Sequence, residues 1–119
     1  MNIHFGEDVF VNMNCYFMDG ADITVVHHVF IGPSCGFYTA NHPHDYKSRN
    51  AGLEKALPIT IGNNVWLGAN VTVLQGVAIG EACVIAAGSV VTKNIEPHCV
   101  AAGIPRQMIK RIDQNDRVK

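Results

Sequence analysis

The sequence has little net charge, no long apolar run and no segment that looks like a targeting signal. Its 119 residues carry a formal net charge of −1, which gives no electrostatic reason to expect nucleic acid or an anionic membrane as a partner. No apolar stretch approaches the roughly 20 residues of a membrane span. The start of the chain shows no basic segment followed by an apolar one, as a secretory signal would. We therefore expect a single-domain cytoplasmic protein.

Cysteine is present but never in a motif that would hold a metal. The chain has four cysteines, Cys15, Cys35, Cys83 and Cys99, and no two of them form a CxxC pair. A free cysteine behaves as a small apolar side chain, and disulfides are rare in reducing compartments. We expect buried thiols here, with no disulfide and no metal site.

What the sequence does contain is an aliphatic or aromatic residue at every sixth position, with a small or β-branched residue four places after most of them. A fixed six-residue period is typical of a parallel β-helix, in which each unit is one short strand and one corner. The predicted inward residues are Phe5, Val11, Phe17, Val25, Ile31, Phe37, Ile61, Leu67, Val73, Ile79, Ile85 and Val91.

The corners of this predicted prism follow from residues 61–67. Ile61, Val65 and Leu67 are large and apolar, and the Gly-Asn-Asn between the first two favours a turn with left-handed backbone angles. Three such units close one triangular coil. A single coil cannot bury its own apolar face, so successive coils must stack. The units recognised here predict about four coils.

The repeat is interrupted twice. Residues 19–22 add a few positions between two units, and residues 41–58 read NHPHDYKSRNAGLEKALP, without an inward aliphatic residue at the expected spacing. The longer insertion must leave the prism as an external loop, where binding and catalytic residues concentrate. We predict a β-helix over residues 1–105 with this loop inserted. The spacing of Met108, Ile109 and Ile112 predicts a short capping helix within the terminal segment 106–119, ending in a frayed tail.

Five segments together resemble one family. NHP at 41–43 is joined by VNMNCYFMD at 11–19, PITIGNNVWLGANVTVLQGVAIG at 58–80, VIAAGSVVTKNI at 84–95 and AAGIP at 101–105. They are similar to the hexapeptide-repeat O-acetyltransferases of the galactoside and maltose acetyltransferase group. The resemblance implies an all-β, left-handed parallel β-helix that forms a homotrimer. It also implies that acetyl-CoA binds between neighbouring prisms and that a hydroxyl group of a sugar or related small acceptor is acetylated.

The same resemblance implies that this chain is short at its N-terminus. Members of the family usually begin with a helical segment and at least one further coil before the VNMN stretch. Those residues line part of the acceptor pocket in the family. We therefore expect donor binding to be retained and the choice of acceptor to differ.

Acetyl transfer to a hydroxyl group needs a general base, because an alcohol is a poor nucleophile at neutral pH. Histidine suits this role since imidazole titrates near neutral pH. The resemblance assigns the base to His42, at the mouth of the predicted loop and directly before Pro43. His44 is the rival two residues further on. The other four histidines are expected to be solvated surface residues.

The resemblance also implies residues that contact the two substrates. Trp66 follows an inward position by one residue, so its side chain is expected to project outward and to pack beside the catalytic histidine. With it, the predicted acceptor contacts are Asn12 and Asp19. The predicted acetyl-CoA contacts are Ala69, Ala87, Thr92, Lys93, Arg106 and Lys110.

Two other functions remain open for such a prism. Metal-dependent hydratases of the γ-type carbonic anhydrase class share the fold and use three histidines from adjacent coils, but the NHPH stretch lacks their ligand spacing and His27 and His28 are neighbours in sequence. The alternative to an acetyltransferase is a non-catalytic trimeric β-helix that acts as a remnant or scaffold.

Overall fold

A computed structural model describes residues 2–114 of the chain. Its first coil consists of three short strands, β1 (Ile3–Phe5), β2 (Phe10–Val11) and β3 (Tyr16–Met18). The second coil repeats the arrangement with β4 (Ile23–Val25), β5 (Phe30–Ile31) and β6 (Gly36–Tyr38). An excursion then follows, made of β7 (Ala40–Asn41), α1 (Tyr46–Asn50) and β8 (Lys55–Ala56).

The chain returns to the prism for two more complete coils. They consist of β9 (Ile59–Ile61), β10 (Trp66–Leu67), β11 (Thr72–Val73), β12 (Ala78–Ile79), β13 (Val84–Ile85) and β14 (Val90–Val91). The fold ends with β15 (Cys99–Ala102) and β16 (Gln107–Arg111). Residues 2–114 contain no helix with the length and apolarity needed to cross a bilayer.

Three sheets form the faces of the prism, and their strands are parallel except for β16. The first face has the strand order β1-β4-β9-β12, the second face runs from β2 through β5, β10 and β13 to β15 and β16, and the third face has the order β14-β11-β6-β3. Equivalent residues of successive coils stand in register, so that Val25 pairs with Ile61 and Ile61 pairs with Ile79. The predicted left-handed parallel β-helix is confirmed.

The three corners of each coil are named here by the faces they join. The first corner leads from the first face to the second, the second corner leads to the third face, and the third corner leads to the next coil. Left-handed backbone angles recur where a corner ends, in the residue directly before the small inward side chain. These positions are Asp8, Asn14, His28, Ser34, Asn64, Asn70, Gly76, Ala82, Gly88 and His98.

The core is a stack of the predicted inward residues together with the small residues at the corners. From Val25 to Val91 every predicted inward residue is buried. The first coil is the exception, since Phe5 is 50% exposed and Val11 and Phe17 are only partly buried. The ring of Phe17 still stacks on that of Phe37, with centroids 4.7 Å apart and planes at 8°. The second, third and fourth coils therefore carry most of the core.

All four cysteines occupy the small corner position, including Cys99, which the sequence frame did not place there. Each directly follows a residue with left-handed angles. Cys35, Cys83 and Cys99 are buried, and all four thiols are free. Burial raises the pKa of the Cys35 and Cys83 thiols above the usual range, which makes them poor nucleophiles.

The predicted capping helix at the C-terminus is wrong. Residues 107–111 form the strand β16, which pairs antiparallel with β15. The turn between the two strands contains Gly103 with a φ of 107° and a cis Ile104–Pro105 bond. A strand forms here because β15 ends the parallel sheet and would otherwise leave its backbone groups unpaired. The rest of the predicted tail, residues 115–119, lies outside the described residues.

Candidate active site

The excursion between β6 and β9 is closed at its base by backbone pairing. Ala40 pairs with Ala56, and Asn41 pairs with Lys55, in a two-stranded antiparallel sheet. The Leu57 N–H donates to the Thr39 carbonyl at 2.9 Å. The excursion, called the loop below, therefore leaves and rejoins the prism at one point, which lies at the third corner of the second coil.

Thr39 joins the base of the loop to the third corner of the first coil. The Thr39 side chain is fully buried, and its hydroxyl donates to the Met18 carbonyl and accepts from the Ala21 N–H at 3.3 Å. Because Met18 and Ala21 flank Asp19 and Gly20, one side chain links the base of the loop to the corner that contains Asp19. Sequence reasoning missed Thr39, although a polar β-branched residue that immediately precedes an insertion could have indicated it.

Within the loop, α1 is organised by its own caps. The Asp45 carboxylate accepts the Ser48 N–H at 2.9 Å, in the usual N-cap geometry. Hydrogen bonds from the side chain and then the backbone of Ser48 lower the pKa of Asp45 below its usual range. None of the five helical residues is buried, so packing on the prism does not hold the helix.

A cleft of about 510 Å³ lies between the loop and the prism. His42 and His44 both line it, and the prism contributes Gln75 from the third corner of the third coil. The walls are completed by Asn41, Pro43, Leu53, Glu54, Lys55 and Leu57. Two imidazoles, a carboxylate, an ammonium group and two amides thus share one mostly apolar cleft. This arrangement can hold a small polar molecule and accept a proton from it.

Leu57 closes the prism side of this cleft. A Cβ atom added to Gly76 would lie 3.3 Å from the Leu57 Cδ1 atom. Gly76 also has a φ of 75°, an angle that a side chain would disfavour. The glycine lets the returning loop lie directly on the third corner.

Six of the other predicted site residues lie on two different corners. Asp19, Thr92 and Lys93 are at the third corner, on the same edge of the prism as the loop. The Asp19 carboxylate accepts the Asn2 N–H at 3.1 Å, so it also secures the start of the described chain.

Asn12, Ala69 and Ala87 lie along the second corner, in the first, third and fourth coils. The Asn12 side chain accepts the Met13 N–H at 2.7 Å and so turns its own corner. Ala69 is partly exposed and Ala87 is exposed. A Cβ atom added to the adjacent Gly88 would meet no atom within 4 Å, so this edge is open.

Trp66 projects outward from the second face, as predicted, and is 56% exposed. Its Cα partner on β5 is Phe30, which in turn pairs with Phe10 on β2. Phe30 is 59% exposed and Phe10 is 55% exposed. These three residues, called the aromatic stripe below, line a second cleft of about 360 Å³ together with Ile31 and Gly32.

The structure places Trp66 and His42 in different clefts of the chain, and the contact between them stays a prediction. His42 lines the cleft under the loop, whereas Trp66 lines the cleft on the second face, and the two clefts share no residue. The structure brings together His42 and His44, and separately Asn12, Ala69 and Ala87.

The two predicted basic contacts near the C-terminus differ in their surroundings. The Arg106 guanidinium donates to the Asn94 carbonyl at 2.6 Å through Nη2, while its Nε atom is buried without a partner. Lys110 is exposed on β16, opposite Val100. The Arg106 side chain is thus hydrogen-bonded to the prism, whereas the Lys110 side chain is exposed.

The other histidines are at the surface, three of them at corners. His28 lies 3.3 Å from the Asp8 carboxylate and His98 lies 3.9 Å from that of Glu81, each joining successive coils. His27 accepts the Glu7 N–H at 2.9 Å, and His4 is also exposed. Residues 2–114 contain no group of three or more histidine, cysteine, aspartate or glutamate side chains arranged to hold a metal ion.

A family model described as the hexapeptide repeat of succinyl-transferase matches residues 58–93. A protein of Staphylococcus aureus (strain MRSA252), provisionally named an acetyltransferase, is 58% identical over 112 residues, which are 94% of this chain and 56% of that protein. The chain thus spans little more than half the length of this relative.

Two solved structures extend the comparison to three dimensions. A maltose O-acetyltransferase from Clostridium difficile 630 is 46% identical with a TM-score of 0.93, over 95% of this chain and 60% of that one. A galactoside acetyltransferase in complex with coenzyme A is 42% identical with a TM-score of 0.94, over 97% of this chain and 57% of that one.

Proposed function

We propose that the chain, which is similar over almost its whole length to a maltose O-acetyltransferase and a galactoside acetyltransferase, belongs to the hexapeptide-repeat acetyltransferases and performs their reaction. It moves an acetyl group from acetyl-CoA to a hydroxyl group of a sugar or a related small acceptor, with His42 as the general base. The observation that carries this proposal is the position of His42 in the cleft of about 510 Å³ under the loop.

The chemistry requires one proton acceptor and a place for the acceptor molecule. His42 takes the proton of the attacking hydroxyl group as its oxygen bonds to the thioester carbonyl carbon. When the carbon–sulfur bond breaks, the imidazolium returns this proton to the leaving sulfur, so that an acetyl ester and free CoA thiol are formed. Glu54, Gln75 and Asn41 line the same cleft and offer hydrogen bonds to further hydroxyl groups.

The open second corner is the place that we propose for acetyl-CoA. Ala69 and Ala87 leave room for the pantetheine arm because their side chains end at the methyl group, and Gly88 beside them leaves the surface free. Lys110, Lys93 and Arg106 supply positive charge for the phosphates, and Thr92 completes the proposed contacts. Asn12, Asp19 and Trp66 are the proposed contacts of the acceptor.

We propose a homotrimer as the form that completes the site. His42 and the second corner lie on different edges of the prism, so one chain alone does not place donor and base together. The aromatic stripe of Phe10, Phe30 and Trp66 is more than half exposed, which is typical of a surface that a partner covers. A neighbouring prism seated on it would bring its loop towards Ala69, Ala87 and Trp66.

The alternative is a non-catalytic trimer with the same prism. It shares the aromatic stripe and differs from the enzyme only in turnover and in donor binding. The deciding experiment is acetyl-CoA titration of the 119-residue chain by calorimetry, followed by turnover with a panel of galactosides and maltose. We expect about one donor site per chain and release of CoA thiol with at least one sugar.

The base is tested by replacing His42 with Ala. Turnover should fall by about 10²–10⁴-fold, with donor affinity unchanged, because a general base acts on rate rather than on donor binding. His44→Ala should have a smaller effect, and His98→Ala, at a corner outside the cleft, should have none. Full turnover of the His42→Ala protein would remove His42 from this role. Absence of acetyl-CoA binding by the unaltered chain would favour the non-catalytic trimer.

A further inference from the structure

Helix α1 is too short and too exposed to be stable by itself. It has five residues, and none of them is buried. Isolated helices of this length do not persist in water, since the first turn fixes several backbone angles for a single hydrogen bond. Its position must therefore come from particular hydrogen bonds rather than from an apolar face.

Arg49 supplies the link between α1 and the segment that contains the two cleft histidines. Its Nη1 atom donates to the Pro43 carbonyl at 3.3 Å and to the His44 carbonyl at 3.4 Å. The Arg49 N–H also donates to the Asp45 carbonyl at 3.1 Å, within the first turn of the helix. One residue thus joins the helix to the carbonyl groups of both residues that follow His42.

His42 lies between two anchors as a result. On its N-terminal side, Asn41 pairs with Lys55 across the base of the loop. On its C-terminal side, the carbonyl groups of residues 43 and 44 are held by Arg49. A residue before proline is restricted to extended angles, so His42 has little freedom of its own once the carbonyl groups of Pro43 and His44 are fixed.

We propose that Arg49 is a positioning residue that holds the imidazoles of His42 and His44 in the orientation needed for acetyl transfer. The proposal rests on the function proposed above and adds a residue that does not itself touch the reacting atoms. A guanidinium group suits this task because its charge is permanent and its donors have a fixed geometry that can bridge two carbonyl oxygens. A misplacement of about 1 Å at a catalytic group can lower a rate by about 10²-fold.

The first test reads the imidazoles directly and does not require turnover. Long-range ¹⁵N–¹H NMR spectra of the ring nitrogens are compared for the unaltered chain, Arg49→Gln and Arg49→Lys. The matched control is Lys47→Gln, which removes a positive charge from the same exposed helix. We expect Arg49→Gln to shift or broaden the signals of His42 and His44 and to leave those of His98 unchanged. Lys47→Gln should leave all of them unchanged.

The second test measures turnover with the same proteins. We expect Arg49→Gln to lower kcat by about 10–100-fold while the KM for acetyl-CoA stays the same. Arg49→Lys should recover part of the loss, because an ammonium group can still donate to one of the two carbonyl oxygens. The thermal unfolding midpoint should not change, because Arg49 is exposed.

The outcomes separate this proposal from the proposed function. Unchanged His42 and His44 signals in Arg49→Gln would overturn the positioning role whether or not the chain is active. Changed signals with an unaltered kcat would overturn its catalytic consequence. If the unaltered chain shows no turnover with any sugar, the proposed function fails, and the NMR comparison still decides whether Arg49 orients the two imidazoles.

Discussion

The prism and the loop are held together by different interactions. In the second and third coils, each inward residue is buried between equivalent residues of the coils above and below, as Leu67 is between Ile31 and Ile85. In the loop, α1 buries no residue and is placed by hydrogen bonds of Asp45 and Arg49. The structure of the prism is therefore maintained by many equivalent contacts, while the structure of the loop depends on the hydrogen bonds of a few side chains.

This difference separates stability from activity in the molecule. A change in the prism should alter the free energy of unfolding, because burial is shared by many neighbours. A change in the loop should alter the position of His42 with little effect on global stability. Thr39 lies where the two regions meet, and it should show both effects.

The largest effect on stability is expected in the core. Leu67→Ala removes a fully buried side chain from the middle of the stack and should lower the free energy of unfolding by about 3 kcal/mol. Urea denaturation at 25 °C measures this. The matched control is Thr60→Ala, on the exposed side of β9, which should change stability by less than about 0.5 kcal/mol. Equal effects of the two changes would contradict the redundant packing inferred for the prism.

A smaller effect is expected at the junction. Thr39→Val keeps the shape of the side chain but removes the hydroxyl bonds to the Met18 carbonyl and the Ala21 N–H. The part-buried Ala21 N–H would lose its side-chain acceptor, and the Met18 carbonyl would keep only the Thr39 N–H at 3.3 Å, so the free energy of unfolding should fall by about 1–3 kcal/mol. Hydrogen exchange of the Leu57 amide should also become faster, because this amide bonds to Thr39.

The control for this change is Thr72→Val, at a partly exposed position of β11, which should affect neither quantity. If Thr39→Val destabilises the chain without faster exchange at Leu57, Thr39 belongs to the prism alone and does not secure the loop.

The smallest effect on the whole molecule is expected at the cap of α1. Asp45→Ala should speed amide exchange at residues 48–51 several-fold and leave the urea midpoint unchanged, because the helix frays without unfolding the prism. The pKa of Asp45 is lowered in the folded chain, so the cap is present above the unfolded carboxyl pKa of about 3.9 and is lost as the pH falls through the folded value.

Amide exchange of α1 followed between pH 6 and pH 3 measures this, after correction for the intrinsic rate. The Asp45→Ala protein should show no such transition. A shift of the urea midpoint as large as that of Thr39→Val would mean that the loop and the prism unfold together.

Much of the prism could be predicted because each unit repeats the same physical requirement. Ile61, Leu67 and Val73 stand in one frame of six, and the Gly-Asn-Asn corner between Ile61 and Val65 indicates where the chain must turn. The burial expected from this spacing was not found in the first coil. Phe5 has the right spacing, but only one neighbouring coil covers it. Periodicity predicts which side faces inward and says nothing about how many neighbours are present.

The strand at the C-terminus and the contacts within the loop were harder to predict from the sequence, for a physical reason. The spacing of Met108, Ile109 and Ile112 fits a helix, yet the unpaired edge of β15 selects a strand, and such an edge cannot be seen in a short stretch of sequence. The position of the loop and the place of His42 in it were predicted. The roles of Thr39 and Arg49 were not, because each depends on contacts between residues that no repeat relates.

The insertion at the third corner of the second coil has a further consequence for the dimensions of the molecule. From Ile61 to Ile79 the chain goes once around the prism, and residues 41–58 are of that same length. A full turn lengthens the stack by one strand spacing, about 4.8 Å, whereas these residues add nothing along the axis. A length of chain that could have formed one more turn therefore projects from the side of the prism. The cleft with His42 lies between these projecting residues and the prism.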